Sequence, residues 1–152
     1  MNITKAAIKL NSTWRRQWPA WRALPPVLLM TDPVRLKDPG PYLHRLPRGG
    51  GVIYRCYGDT MPYSERLRHM WDLRDACHQN GLVLLIAGDD RLALEAGADG
   101  IHLPEWRLGR QSWHPRAMKS RGGLVTMSCH GRQALHLAAK AGVDAALVAP
   151  VF

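Results

Sequence analysis

Side chains able to do chemistry sit in this chain where strand-like runs stop. Arg55 lies near the end of Val52 to Tyr57, and Asp89 follows Leu82 to Ala87. His102 and Glu105 lie in and just past Gly100 to Leu103, and Ser128 and His130 come at the end of Leu124 to Ser128. Arg55 presents a planar fork of donors that matches a phosphate or pyrophosphate, or it forms an ion pair inside the fold. Asp89 offers an oxygen ligand to Mg²⁺, or caps the helix that starts near Asp90. His102 alternates with Ile101 and Leu103, so it faces the other side of its strand, where a satisfied core histidine is the plainer role. Glu105, just beyond, is placed either to meet a ligand or metal or to sit solvated in a loop. Ser128, His130 and the helix that opens after Gly131 together suit phosphate contact or proton transfer, with His130 as the acid/base candidate. The plainer alternative is a helix cap by Ser128 with His130 in solvent. Cys129 between them faces the other way, and no nucleophile triad is formed by neighbours in sequence.

The elements that must position these groups repeat as strand and helix. Gly81 to Glu105 reads as one βαβ unit: an unbroken apolar run, an acidic turn, a short helix ended by Gly97, and a second strand. Further strand-like runs are Val27 to Met30, Val52 to Tyr57, Leu124 to Ser128 and Ala145 to Val151. Helical spacing over Pro62 to Asn80 aligns Leu67, Met70, Leu73 and Cys77, with Asp59 or Thr60 as start signal and Gly81 as stop. Arg132 to Ala141 aligns Leu135, Ala138 and Ala141 and stops at Gly142. Val34 to Gly51, rich in Pro and Gly, has room for at most a short helix. Ala96-Gly97-Ala98-Asp99-Gly100-Ile101 recurs as Ala141-Gly142-Val143-Asp144-Ala145-Ala146, and Gly81-Leu82-Val83 as Gly123-Leu124-Val125. Recurrence at two βα units marks a regularly wound α/β barrel. A dinucleotide-binding sheet fits less well, because no Gly-x-Gly-x-x-Gly follows the first strand.

Composition bounds the function. A chain of 152 residues with 46% hydrophobic content makes one globular unit. No run approaches the ~18 apolar residues of a membrane span, and the start lacks a secretory signal, so a cytoplasmic protein is expected. Cys56, Cys77 and Cys129 lack the spacing of a disulfide framework or a zinc site and read as buried thiols. The net charge of +9 suits phosphorylated ligands, nucleic acid or an acidic surface. Trp14-Arg15-Arg16 through Trp21-Arg22 interleaves rings with cations. An amphipathic helix laid on the domain explains that segment better than base stacking, so nucleic acid is the minor reading. Trp106 and Trp113 flank a basic loop that either covers a ring-shaped ligand or, more ordinarily, is anchored by two buried indoles.

With the strands placed, the order of motifs resembles the thiamine phosphate synthase and TenI family of (β/α)8 barrels. Leu29-Met30-Thr31-Asp32-Pro33 is similar to its opening Val-Thr-Asp, and Ala96 to Leu103 to its helix-to-strand signature. Met127-Ser128-Cys129-His130 sits where the family has Ser-x-His, and Val148-Ala149-Pro150-Val151-Phe152 is similar to its Gly-Pro-Val-Phe. The resemblance spans about Leu28 to Phe152. It implies an α/β fold of TIM-barrel type with about six of eight βα units present in residues 25–152. Residues 1–24 are left as a basic, Trp-rich extension.

The resemblance also implies an activity: joining a pyrimidine pyrophosphate to a thiazole phosphate, with Mg²⁺ and basic groups holding the departing pyrophosphate. A TenI-like thiazole tautomerase, or a phosphate-binding relative without catalysis, is the alternative. For tautomerisation, the resemblance makes His130 the proton-transfer residue. Where the family has Gln-x-Arg-x-Lys this chain has Ile53, Arg55 and Tyr57. Where it has Asn-Asp-Arg it has Ala87, Gly88 and Asp89, with Asp89 at the metal place after a one-residue slip. Gly-Gln-x-Asp is replaced by Pro104-Glu105-Trp106-Arg107, so an arginine stands at the second metal aspartate. The expected site is therefore Ser128 and His130 as catalytic groups, Arg55, Glu105 and His102 on substrate, and Asp89 as the one metal ligand. Mg²⁺ is expected only with substrate bound and none in the ligand-free chain. The last two βα units and their phosphate-binding loops have no counterpart in these residues, and a second copy could cover the open edge of the sheet.

Overall fold

The computed structural model describes residues 24–57, 60–107 and 115–150, together with positions 5 and 9. The Trp/Arg segment, Asp59, Trp113, Val151 and Phe152 lie outside the described residues. Strands β1 (Leu28–Met30), β2 (Gly51–Arg55), β3 (Val83–Ala87), β4 (Gly100–Leu103), β5 (Leu124–Cys129) and β6 (Ala145–Val148) form one sheet. Helices α1 (Tyr63–Gln79), α2 (Asp90–Ala96), α3 (Pro115–Ser120) and α4 (Arg132–Ala141) alternate with them. Short 3₁₀ turns occupy Gly40–Arg45 and Glu105–Arg107. The first of these is the short helix that the Pro/Gly-rich segment leaves room for. Helix α3 has no counterpart in the sequence reading, because its single turn-and-a-half shows no complete apolar stripe.

Every neighbouring pair is parallel and the strands follow chain order from β1 to β6. The helices α1 to α4 pack on one face of the sheet. Val52, Leu84, Ile86, Ile101, Leu103, Val125 and Met127 meet Met70, Leu73 and Cys77 of α1, Leu92, Ala93 and Ala96 of α2, Met118 of α3, and Ala134 and Ala138 of α4. The opposite face carries a second apolar layer, Ile53, Leu85, Ala87 and Leu124. A sheet wound in sequence with helices on one side curls around the other face, which makes this a barrel arc rather than a doubly wound sheet with helices on both faces. Alternation along each strand then decides which side chains point inward: Arg55, His102, Thr126 and Ser128 share the concave face.

The internal repeat has a local cause. Gly97 and Gly142 each end a helix at φ +67, the left-handed conformation that glycine adopts without a Cβ penalty. The aspartate two residues on then turns back to the preceding strand: the Asp99 carboxylate accepts the Leu84 N–H at 2.8 Å and Asp144 accepts that of Val125 at 2.8 Å. Both copies thus close a strand–helix–strand unit with the same stitch. Gly100 has a separate reason, since a Cβ there would stand 2.4 Å from the Leu124 carbonyl oxygen, backbone that cannot give way.

Two helix expectations need correction. Helix α1 is entered through Pro62 with no side-chain cap, so Thr60 is not its start signal. In α4 the buried stripe is Ala134 and Ala138, while Leu135 is 37% exposed. Small side chains on that stripe let the helix lie close to the sheet, which turns the larger leucine outward. Strands β2 and β6 also stop earlier than the apolar runs suggested, at Arg55 and Val148.

Candidate functional site

At the C-terminal ends of the strands the concave face opens into a cavity of about 910 Å³. Arg55, His102, Glu105, Ser128 and His130 all line it, with Tyr57 and Trp106 at its side. Side chains separated by up to 75 positions in sequence are brought to one place by parallel winding, because every strand delivers its C-terminal end to the same rim. Asp89, also past a strand end, does not line this cavity.

Arg55 is held on the β1 side. Its Nε donates to the Thr31 carbonyl, and Nη2 pairs with Asp32 Oδ2 at 2.6 Å. Its backbone N–H donates to Thr31 Oγ1 at 2.8 Å. The ion-pair reading of Arg55 is therefore correct, and it also preorganises the group. Among the described residues no hydrogen bond from Nη1 is seen. Asp32 receives the Arg35 and Val34 N–H groups as well, and these bonds hold its carboxyl below the usual range before Arg55 adds its charge.

His102 is 2% exposed and lies beside Thr126 in the β4–β5 register. Its Nδ1 is 2.8 Å from Thr126 Oγ1 and its Nε2 is 2.8 Å from Ser128 Oγ. Burial, then the nearby Arg55 charge, push its pKa down to about 4, so at neutral pH it is an uncharged relay between two hydroxyls. The core-histidine reading holds, with a consequence that sequence neighbours could not show: the partner that orients Ser128 is His102, from another strand. Thr126 was missed in the sequence, although its inward position follows from alternation alone; only the β4–β5 register sets it opposite His102.

Ser128 lies within β5 and caps nothing. The N-cap of α4 is Gly131, without a side-chain bond. His130, just past β5, is exposed, and its Nδ1 is 2.6 Å from the Ala149 carbonyl oxygen. A carbonyl only accepts, so Nδ1 carries the proton, and in the neutral ring the lone pair is on Nε2, where a general base needs it. The His130 backbone N–H donates to Glu105 Oε2. Glu105 thereby stitches the turn after β4 to the end of β5.

Asp89 is the N-cap of α2: Oδ1 accepts the Leu92 N–H at 2.9 Å and Oδ2 pairs with Arg66 at 3.2 Å. Its neighbour Asp90 pairs with Arg107 at 2.7 Å. Among the described residues no group of three or more His, Cys, Asp or Glu is placed to hold a metal ion. Asp89 and Asp90 are thus each engaged by an arginine, Arg66 and Arg107. Asp89→Ala is accordingly expected to cost about 1 kcal/mol through the lost cap, read as a lower urea midpoint.

Tyr57 and Trp106 complete the rim. Trp106 is 55% exposed, so it is not a buried anchor as the sequence suggested. The 3₁₀ turn around it is fixed instead by Glu105 and Arg107, polar residues on either side of the indole.

The thiamine monophosphate synthase family model matches residues 44–152. The thiamine-phosphate synthase of Alcanivorax borkumensis is 30% identical over 122 residues, covering 76% of this chain and 54% of that protein. That of Thioalkalivibrio sulfidiphilus is 34% identical over 103 residues, covering 64% of this chain and 46% of that protein. The chain spans about half the length of the curated relatives it matches. Among solved structures, the thiamine phosphate pyrophosphorylase from Pyrococcus furiosus superposes with a TM-score of 0.64 at 20% identity, covering 83% of this chain and 60% of that one, a likeness of fold. No helix among the described residues is long and apolar enough to cross a membrane.

Proposed function

The chain belongs to the thiamine monophosphate synthase family, and from that premise we propose that its cavity binds the phosphorylated thiazole and pyrimidine precursors of thiamine phosphate. The observation that carries this reading is the convergence of Arg55, Ser128, Glu105 and His130 on one cavity at the strand ends. Arg55 presents a preorganised donor to phosphate oxygens, and fixed donors at a site of developing negative charge are what departure of pyrophosphate requires. Ser128, oriented by His102, supplies a hydroxyl from the opposite wall. The proposed reaction is the joining of the two rings with release of pyrophosphate. Mg²⁺ enters, on this reading, only as a companion of a ligand's diphosphate, since Mg²⁺ keeps several waters and needs few protein carboxylates when phosphate is present.

One observation favours a second reading. The Ala149 carbonyl fixes His130 with its basic nitrogen at Nε2, which suits proton transfer on a thiazole ring as in a TenI-like tautomerase. One experiment separates the two. Purified protein is incubated with thiazole phosphate, with and without pyrimidine pyrophosphate and Mg²⁺, while thiamine phosphate and thiazole ring-proton exchange are followed. Thiamine phosphate formation supports joining; His130-dependent exchange without product supports tautomerisation. Thiazole phosphate should raise the melting temperature by mass action, and Mg²⁺ alone should leave it unchanged. Absence of any shift with either phosphorylated compound would refute the binding reading.

A further inference from the structure

Trp106 leaves 55% of its surface exposed at the edge of the cavity, yet the turn that carries it is tied down on both sides. Arg107, its side chain only 16% exposed, donates to Asp90 Oδ1 at 2.7 Å and to the Gly88 carbonyl at 3.0 Å. Glu105 receives the His130 N–H. The turn is thereby fastened to the ends of β3 and β5 at once. Tyr57 approaches the indole edge-on, with ring centroids 6.4 Å apart and planes at 64°. Gly88, at φ +100, leaves the space the Tyr57 ring fills, since a Cβ there would stand 2.8 Å from that ring. The Arg107 guanidinium lies 5.7 Å from the Trp106 ring centroid. A large, flat apolar group is held in fixed geometry beside a site whose other walls offer phosphate donors, which is the arrangement of a preorganised stacking surface.

We infer that Trp106, backed by Tyr57, is a specificity-determining residue that stacks on the planar aromatic ring of a ligand whose phosphate lies toward Arg55 and Ser128. This deepens the phosphate-binding reading and rests on it. Stacking on the indole selects for a flat ring and leaves the phosphate end to the arginine, so the two halves of the ligand are read by different residues. Because Trp106 is about half in water and Arg107 and Glu105 hold the turn through their own bonds, substitution of the indole leaves the fold in place.

The test is calorimetric titration of wild type, Trp106→Ala and Trp106→Phe with three probes: thiazole phosphate, propyl phosphate and inorganic phosphate. Trp106→Ala should weaken thiazole phosphate about tenfold, within the range alanine substitution gives for ring stacking, and leave the other two unchanged. Trp106→Phe should recover most of the loss. Equal effects on thiazole phosphate and propyl phosphate, or no effect on either, would overturn the stacking role while wild-type binding of all three leaves the phosphate reading intact. Failure of wild type to bind any of the three overturns both.

Discussion

Arg55→Ala should weaken binding of thiazole phosphate about a hundredfold, with little change in the unfolding midpoint. The affinity loss follows from the charged hydrogen bonds that a phosphate would take from this guanidinium, roughly 1.5 to 3 kcal/mol each, with about 1.4 kcal/mol per tenfold. Preorganisation adds to it: Thr31 and Asp32 already hold Nε and Nη2, so a ligand need not order the side chain. The small effect on stability follows from exposure. The Arg55 and Asp32 side chains are 27% and 36% exposed, and partly solvated pairs of this kind contribute at most about 1 kcal/mol. Arg55→Lys keeps the charge but not the fork, and an intermediate loss is expected. Titration of the three proteins with thiazole phosphate, beside urea melts, reads both quantities. Unchanged affinity in Arg55→Ala would place the phosphate elsewhere, and a collapse in stability would make Arg55 structural.

Acidification from pH 7 to 4 should remove about 3 kcal/mol of stability through His102 alone. Its pKa falls from 6.5 to about 4 in the folded protein, first through burial and then through Arg55. The folded state therefore resists protonation between those two values while the unfolded chain accepts it. Stability contributed by neutral His102 is complete above pH 6.5, is lost progressively as pH falls below it, and has no further to fall below about 4. The size of the loss follows from the width of that interval, at about 1.36 kcal/mol for each pH unit crossed. Urea melts across the interval provide the measurement, with His102→Gln as the comparison. The glutamine variant starts less stable, because Thr126 and Ser128 lose their shared partner, but its stability should change less between pH 6.5 and 4. An identical slope in both proteins would mean that other groups carry the acid sensitivity. Arg55→Ala should make the loss smaller and end it at a higher pH, since it removes a positive charge that opposes protonation of His102.

The winding was legible along the chain. Apolar runs without polar alternation identified strands covered on both faces, and glycines after amphipathic runs marked where helices end. The repeated Ala-Gly-x-Asp predicted recurrence of one unit, which the structure explains through Gly97 and Gly142 in left-handed turns and Asp99 and Asp144 bonded to the preceding strand. Alternation placed His102 inward and Cys129 away from Ser128, and the cap reading of Asp89 was legible in the acidic pair before its helix. These are local signals, fixed by backbone period and by hydrogen bonds a few residues long.

Which groups meet was set by the fold. His102 and Ser128 are 26 residues apart and share a hydrogen bond because β4 and β5 are register neighbours, and Arg55 is tied to Asp32 across 23. Glu105 reaches the His130 N–H, Asp89 stays outside the cavity against Arg66, and Trp106 remains half in water although its place beside a basic loop suggested a buried anchor. The direction a side chain takes past the end of a strand is set by loops that no periodicity governs, and its partner by the register of strands far away in the chain. The chemistry of each residue could be read along the chain, but their assembly into a cavity required the curl of the sheet.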